Sequence, residues 1–201
     1  NKFKKPNFKD SLNLPKTNFS MRANLQQQEP KTLENWKNCN LYEKLQKERE
    51  KQPLFLIHDG PPYANGNIHI GHLLNKVLKD FVIRSQLMLG KRCPFVPGWD
   101  CHGLPIEHKV IQDLLKKKPK LFKTLDSKTA RQVIRKACNS YSDQQIKRQS
   151  EQMQKLLTLA DYDYPYLTKN KGYEANVLEV FANLLEKGLV YRQLKPVHWS
   201  I

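Results

Sequence analysis

Two histidines three residues apart, His69 and His72, open a stretch that repeats apolar residues at helical spacing. On the first turn of a helix two such side chains face one way, and there the free main-chain N–H groups and the helix dipole already favour an anion. Gly71 carries no side chain, so a phosphate can approach the main chain between them closely. The chemistry implied is phosphate binding by two side chains and main-chain amides. It is not zinc hydrolysis, because the metalloprotease pattern needs histidines four apart with an adjacent Glu; no metal site is read in this chain. Asp100, after Gly98 and Trp99, offers a carboxylate whose natural ligand is a cation, most simply an amino group. An N-cap or a structural hydrogen bond is its other use. Gly60, Pro61 and Pro62 form a stiff turn with little entropy left to lose, suited to the wall of a small pocket.

The flanking elements must position these groups. Leu54–Ile57, bounded by Pro53 and by the turn His58–Pro62, is short and wholly apolar, which reads as a buried parallel strand. Ile70, Leu74, Val77, Leu78, Phe81 and Val82 then recur at three and four, and Gly90 stands to end a helix over 69–89. Cys93–Val96, stopped by Pro97-Gly98, completes a strand–helix–strand unit whose crossover is expected to be right-handed. Ligands of open parallel sheets lie beyond the carboxyl ends of the strands, so the loops 58–67 and 98–104 should rim one crevice above the helix start. Five of the six histidines, His58, His69, His72, His102 and His108, fall in this window, His108 reading equally well as an ordinary surface residue. Elsewhere, residues 1 to about 28 read as an extended arm, and 29–52 as a helix with Pro30 in its first turn and a break near Asn38–Asn40. Residues 144–160 and 173–187 read as helices, and a third strand is expected at 190–191 or 197–199. The fold class is α/β.

Composition narrows the setting. The 201 residues carry 35 Lys plus Arg against 19 Asp plus Glu, a net +16 that points toward a polyanionic partner. Between 109 and 148, 12 basic residues face three acidic ones, as a solvated helical face or as a surface toward an RNA backbone. Charged and apolar content argue against disorder of the whole. Four cysteines without C-x-x-C spacing suit a reducing compartment, cytoplasmic or an organellar matrix. No apolar stretch approaches the roughly 18 to 20 residues of a membrane span. A first residue that is not Met suggests a trimmed chain.

Two long runs, HDGPPYANGNIHIGHLLNKVLKD (His58–Asp80) and PGWDCHGLPIE (Pro97–Glu107), resemble class I aminoacyl-tRNA synthetases, most closely their isoleucine-specific branch. Four letters of a His-Ile-Gly-His signature would be weak; two blocks at the family's separation are specific. Leu12–Thr17, Met21–Leu25, Pro165–Thr168 and Lys195–Ser200 extend the likeness over nearly the whole chain. The resemblance implies that an isoleucine carboxylate attacks the α-phosphate of Mg·ATP, pyrophosphate leaves, and the aminoacyl group passes to tRNA(Ile). It implies His69 and His72 as catalytic residues that stabilise phosphate charge in the transition state. Gly60, His69, Gly71 and His72 would then meet ATP, and Gly60, Pro61 and Asp100 isoleucine, with Asp100 on its ammonium. The fold implied is the first half of a Rossmann-like parallel-sheet domain, with residues 1–52 as arm and helix and 53–201 as catalytic fold up to the entry of an editing insertion. Asp161–Tyr164 departs from the Trp-containing run of the family, and the Lys-Met-Ser-Lys-Ser signature is absent, so a front piece of a longer enzyme, inactive alone, is expected. A nucleotidylyltransferase with a similar His-x-Gly-His, or a non-catalytic RNA-binding module, stays open as an alternative.

Overall fold

The computed structural model describes residues 8, 11–13, 17–117, 119 and 126–198. Helix α1 spans Leu25–Asn38 and α2 Leu41–Glu48. The break expected near residues 38–40 is there, with Asn40 in the left-handed region at φ 46, which Asn tolerates better than most side chains. The start differs: α1 begins beyond a left-handed Asn24, so Pro30 lies inside the helix and not in its first turn. No residue of α1 is buried, so the carbonyl that loses its N–H partner to the proline ring can be hydrated. Helix α2 docks through side chains. The Tyr42 hydroxyl accepts from Phe95 N at 3.0 Å, and Gln46 Nε2 donates to Cys93 O at 3.1 Å.

Two extended segments run parallel on either side of α3 (Ile70–Met88), but they pair only at their ends. Phe55 N donates to Arg92 O at 2.9 Å and Arg92 N to Pro53 O at 3.0 Å; further on, Asp100 N donates to Pro62 O at 2.8 Å and Ala64 N to Asp100 O at 2.9 Å. The expected strand 54–57 is therefore reduced to one bridge at Leu54, and 93–96 is extended without a ladder. Prolines explain this. Pro53, Pro61 and Pro62 on one segment and Pro94 and Pro97 on the other have no N–H to donate.

The ladder lies one step later than the apolar run. Strand β1, Gly98–Trp99, pairs in parallel with β2, Tyr166–Leu167, in register Gly98↔Tyr166 and Trp99↔Leu167. Gly98, expected to stop the strand, instead makes the pairing possible: a Cβ there would sit 2.0 Å from Tyr166 Cζ. The third strand is thus β2. No strand forms over 190–198, and Trp199 lies outside the described residues.

Helix α4 spans Leu104–Lys117, α5 Ser127–Gln154 and α6 Lys171–Glu186. Helix α5 starts well before residue 144, after an N-cap Asp126 whose carboxylate accepts from Lys128 N and Thr129 N at 2.8 and 2.9 Å. It also ends earlier than residue 160, ahead of a left-handed Leu157 at φ 57. Its packed side includes the buried polar residues Ser142, Gln145 and Gln149, which hide it from an apolar periodicity. One core gathers Ala64, Trp99, Cys101, Ile106, Val110 and Met153; a second gathers Ile83, Leu87, Cys93, Phe95, Leu159 and Ala160.

Candidate active site

The sequence His69-Ile70-Gly71-His72 folds as the start of α3, with His69 as its N-cap in extended conformation. The two rings close a reciprocal cap: His69 Nδ1 accepts from Gly71 N, and His72 Nδ1 accepts from His69 N, both at 3.1 Å. An Nδ1 that accepts an N–H carries no proton in the neutral ring, so those partners assign both protons to Nε2. The ring centroids are 3.9 Å apart, giving two tethered N–H donors at one helix N-terminus. Partial burial, then the neighbouring His69 and Lys76, hold His72 below the ordinary imidazole range, favouring the neutral donor near pH 7. Gly71 serves the cap as well as any ligand, since a Cβ there would lie 3.0 Å from His69 Cε1.

The main-chain bonds between Asp100 and residues 62 and 64 bring the double-proline turn beside the Asp100 segment. Gly60 is exposed, and a Cβ added to it would meet nothing within 4 Å; Pro61 is half-buried, so this wall of the turn is open. The Asp100 carboxylate is only loosely engaged. Its Oδ1 accepts from His102 N at 3.4 Å and Thr168 Oγ1 at 3.5 Å, and among the described residues Oδ2 has no hydrogen bond. That leaves an acceptor for an added cation. A cavity of about 430 Å³ behind Cys101–Gly103 and another of about 490 Å³ beside α1 and α2 take in none of Gly60, Pro61, His69, His72 and Asp100, which line an open edge.

The remaining histidines separate. His58 stacks on Tyr166 at 5.8 Å, His102 pairs with Glu174 at 3.4 Å, and His108 contacts Gln112 on the exposed side of α4. Among the described residues no group of three or more His, Cys, Asp or Glu could hold a metal ion.

Sequence reasoning passed over the device beneath the turn. Asp59 is fully buried, its carboxylate gripped by Lys76, also buried, and by Lys79 at 2.6 Å, both from α3. Burial pushes the Lys76 amine down while Asp59 opposes the shift. The Tyr166 hydroxyl donates to Asp59 O at 2.6 Å, so β2 closes the same network. An Asp in a polar turn and two lysines on a helix read as solvated groups; only the Pro165–Thr168 match drew attention to β2.

The family described as tRNA synthetases class I (I, L, M and V) matches residues 31–201. Isoleucine–tRNA ligase of Kosmotoga olearia is 51% identical over 192 residues, 96% of this chain and 20% of the relative. Isoleucine–tRNA ligase of Aquifex aeolicus is 48% identical over 198 residues, 98% of this chain and 20% of the relative. The chain therefore spans about a fifth of the length of these relatives. In a solved ternary complex of Agrobacterium radiobacter K84 agnB2 LeuRS with tRNA and LeuAMS, the protein superimposes with a TM-score of 0.61 at 20% identity, over 86% of this chain and 19% of that one, a likeness of fold. With its paired histidines capping α3 and the family match running from residue 31 through the whole site, this chain belongs to the class I tRNA synthetases.

Proposed function

We propose that this chain is the part of an isoleucine–tRNA ligase that binds the reacting phosphates and the amino acid, in an enzyme that activates isoleucine with ATP and transfers it to tRNA(Ile). The observation that carries the reading is the reciprocal His69–His72 cap, which anchors both rings through Nδ1 and leaves two Nε2 groups at a helix N-terminus. Charge that grows on the α-phosphate and on departing pyrophosphate is stabilised by donors already in place, with no proton transferred. Gly60 and Gly71 leave room for ATP at the turn and the helix start, and Gly60 with Pro61 lines the side-chain pocket. The Asp100 carboxylate takes the ammonium and turns the substrate carboxylate toward the phosphate. Mg²⁺ would accompany the triphosphate as its counter-ion; no cluster of three metal-ligating side chains among the described residues offers a protein-held alternative.

In this reading residues 53–201 are the first half of a Rossmann-like nucleotide fold and 1–52 an arm and helix laid against it. The exposed cations of α4 and α5, Lys116, Lys117, Lys128, Lys136, Lys147 and Arg148, suit an RNA backbone. The reading places the enzyme in the cytoplasm or an organellar matrix, where tRNA is charged. No helix among the described residues is long and apolar enough to cross a membrane. The test is isoleucine-dependent exchange of labelled pyrophosphate into ATP by the full-length enzyme. Exchange driven by isoleucine and by no other amino acid at low concentration is expected; exchange indifferent to isoleucine overturns the reading.

A further inference from the structure

Gln149 sits on α5, far in sequence from either side of the crevice, and is fully buried. Its carboxamide is used at both ends. Oε1 accepts the Trp99 Nε1–H at 3.0 Å, while Nε2 donates to Tyr63 O at 3.0 Å and Gly66 O at 3.1 Å. Trp99 immediately precedes Asp100, and Tyr63 and Gly66 lie on the loop that runs from the double-proline turn to His69. These partners all belong to the two edges of the site. Neighbouring turns of α5 add hydrogen bonds to the loop edge: Tyr141 Oη donates to Asn65 Oδ1 at 2.7 Å, and Gln152 Oε1 accepts from Ile68 N, the residue before His69, at 3.0 Å.

We propose that Gln149 is a positioning residue for amino-acid activation, one buried carboxamide that fixes the Asp100 edge relative to the loop that aims His69 and His72. The proposal rests on the functional reading above. A planar group that accepts on one side and donates twice on the other is available only from Asn or Gln, and the shorter Asn would not span the same partners from this helix. Main-chain pairing already joins residues 62 and 64 to residue 100, and Tyr141 and Gln152 hold Asn65, Asn67 and Ile68 to α5; of these three α5 side chains Gln149 is the one whose hydrogen bonds also reach the Asp100 edge, through Trp99. Because transition-state stabilisation depends on the relative placement of reacting groups, a shift of about 1 Å between the two edges can cost on the order of a hundredfold in rate. The main-chain bonds at residues 62 and 64 keep Gly60 and Pro61 beside Asp100 without Gln149, and the groups that face ATP all lie on the turn and the helix start, so binding of either substrate alone is preserved.

The experiment uses full-length enzyme and reports kcat of pyrophosphate exchange per active site, titrated by adenylate formation, beside the isoleucine Kd. Gln149→Glu keeps the acceptor for Trp99 and removes both N–H donors; Trp99→Phe cuts the tie at its other end. Each is expected to lower kcat per active site about tenfold or more with the Kd within about threefold, and the double variant to fall little below the worse single one, since both break one connection. A residue that only fills the core would lower the fraction of active sites and leave kcat per site unchanged. If Gln149→Glu does not fold, Trp99→Phe still decides. Values of kcat per site within about twofold of the parent in the folded variants overturn the proposal. A parent enzyme without isoleucine-dependent exchange overturns the functional reading itself, and the proposal with it.

Discussion

His69 and His72 cap the same turn: one ring accepts from Gly71 N and the other from His69 N, so both are anchored by Nδ1, and among the described residues neither Nε2 has a hydrogen bond. Capping and the proposed phosphate binding can therefore be separated by substitution. In the full-length enzyme His69→Ala should slow pyrophosphate exchange by on the order of 10² to 10³ and destabilise the helix start by about 1 kcal/mol. His69→Asn should restore the cap and the thermal midpoint while leaving exchange slow. Recovery of exchange along with the midpoint would reduce His69 to a cap.

Among the described residues the Asp100 carboxylate is held by just two long contacts to Oδ1. Asp100→Asn keeps the shape and removes the charge, so isoleucine affinity should weaken by about 1.5 to 3 kcal/mol, the range of a charged hydrogen bond. ATP affinity should be unchanged. Titration calorimetry with each substrate separates the two, and equal isoleucine affinity would return Asp100 to a structural role.

Asp59 has the opposite character, fully buried and doubly paired. Asp59→Asn would strand the buried Lys76 ammonium, and breaking such a pair costs about 3 to 5 kcal/mol. Pairing that variant with Lys76→Met removes the orphaned charge and should recover part of the loss. Denaturant midpoints of the three proteins test this, and a double variant less stable than the single one would contradict it.

The exposed lysines of α4 and α5 predict an electrostatic contact with RNA. Charge removal at Lys116, Lys117 and Lys128 should flatten the dependence of log K on log salt by about 0.7 to 0.9 per cation that meets a phosphate. Filter binding across a salt series reads the slope. An unchanged slope would mean that the basic helices are simply solvated.

Burial, ahead of the opposing Thr158 hydroxyl at 2.6 Å, pushes Tyr162 up to about 12. The folded protein thus favours the neutral phenol more than the unfolded chain does, with its ordinary value near 10. The associated stability is complete below pH about 10 and is lost as pH rises toward 12, an effect on the order of 2 kcal/mol. Tyr162→Phe should flatten stability over that window in denaturant titrations; a slope equal to the parent's would refute the assignment.

What the sequence shows best is the part built by apolar periodicity and clear punctuation. Helix α3 falls almost where Ile70 to Val82 and Gly90 put it, and the α1–α2 break falls at its asparagines. Helix α5 is half hidden because glutamines and a serine occupy buried positions that a periodicity search expects to be apolar. The strands are shorter and later than the apolar runs because prolines withhold donors within those runs, while pairing depends on a partner near residue 166 that local pattern cannot reveal. At the site, the histidines announce themselves by spacing. Asp59 and Gln149 do not, since their significance comes from burial and from partners many residues away.

The seat of the Tyr166 ring over Gly98 has an evolutionary corollary. Any side chain at position 98 would occupy the volume of that ring, with a Cβ already 2.0 Å from Cζ, and the same tyrosine holds Asp59 O through its hydroxyl. The two positions are therefore free to drift only as a couple. A chimera of two synthetases spliced between residues 98 and 166 inherits its strand pairing intact only when both parents supply compatible halves of this glycine–tyrosine pair.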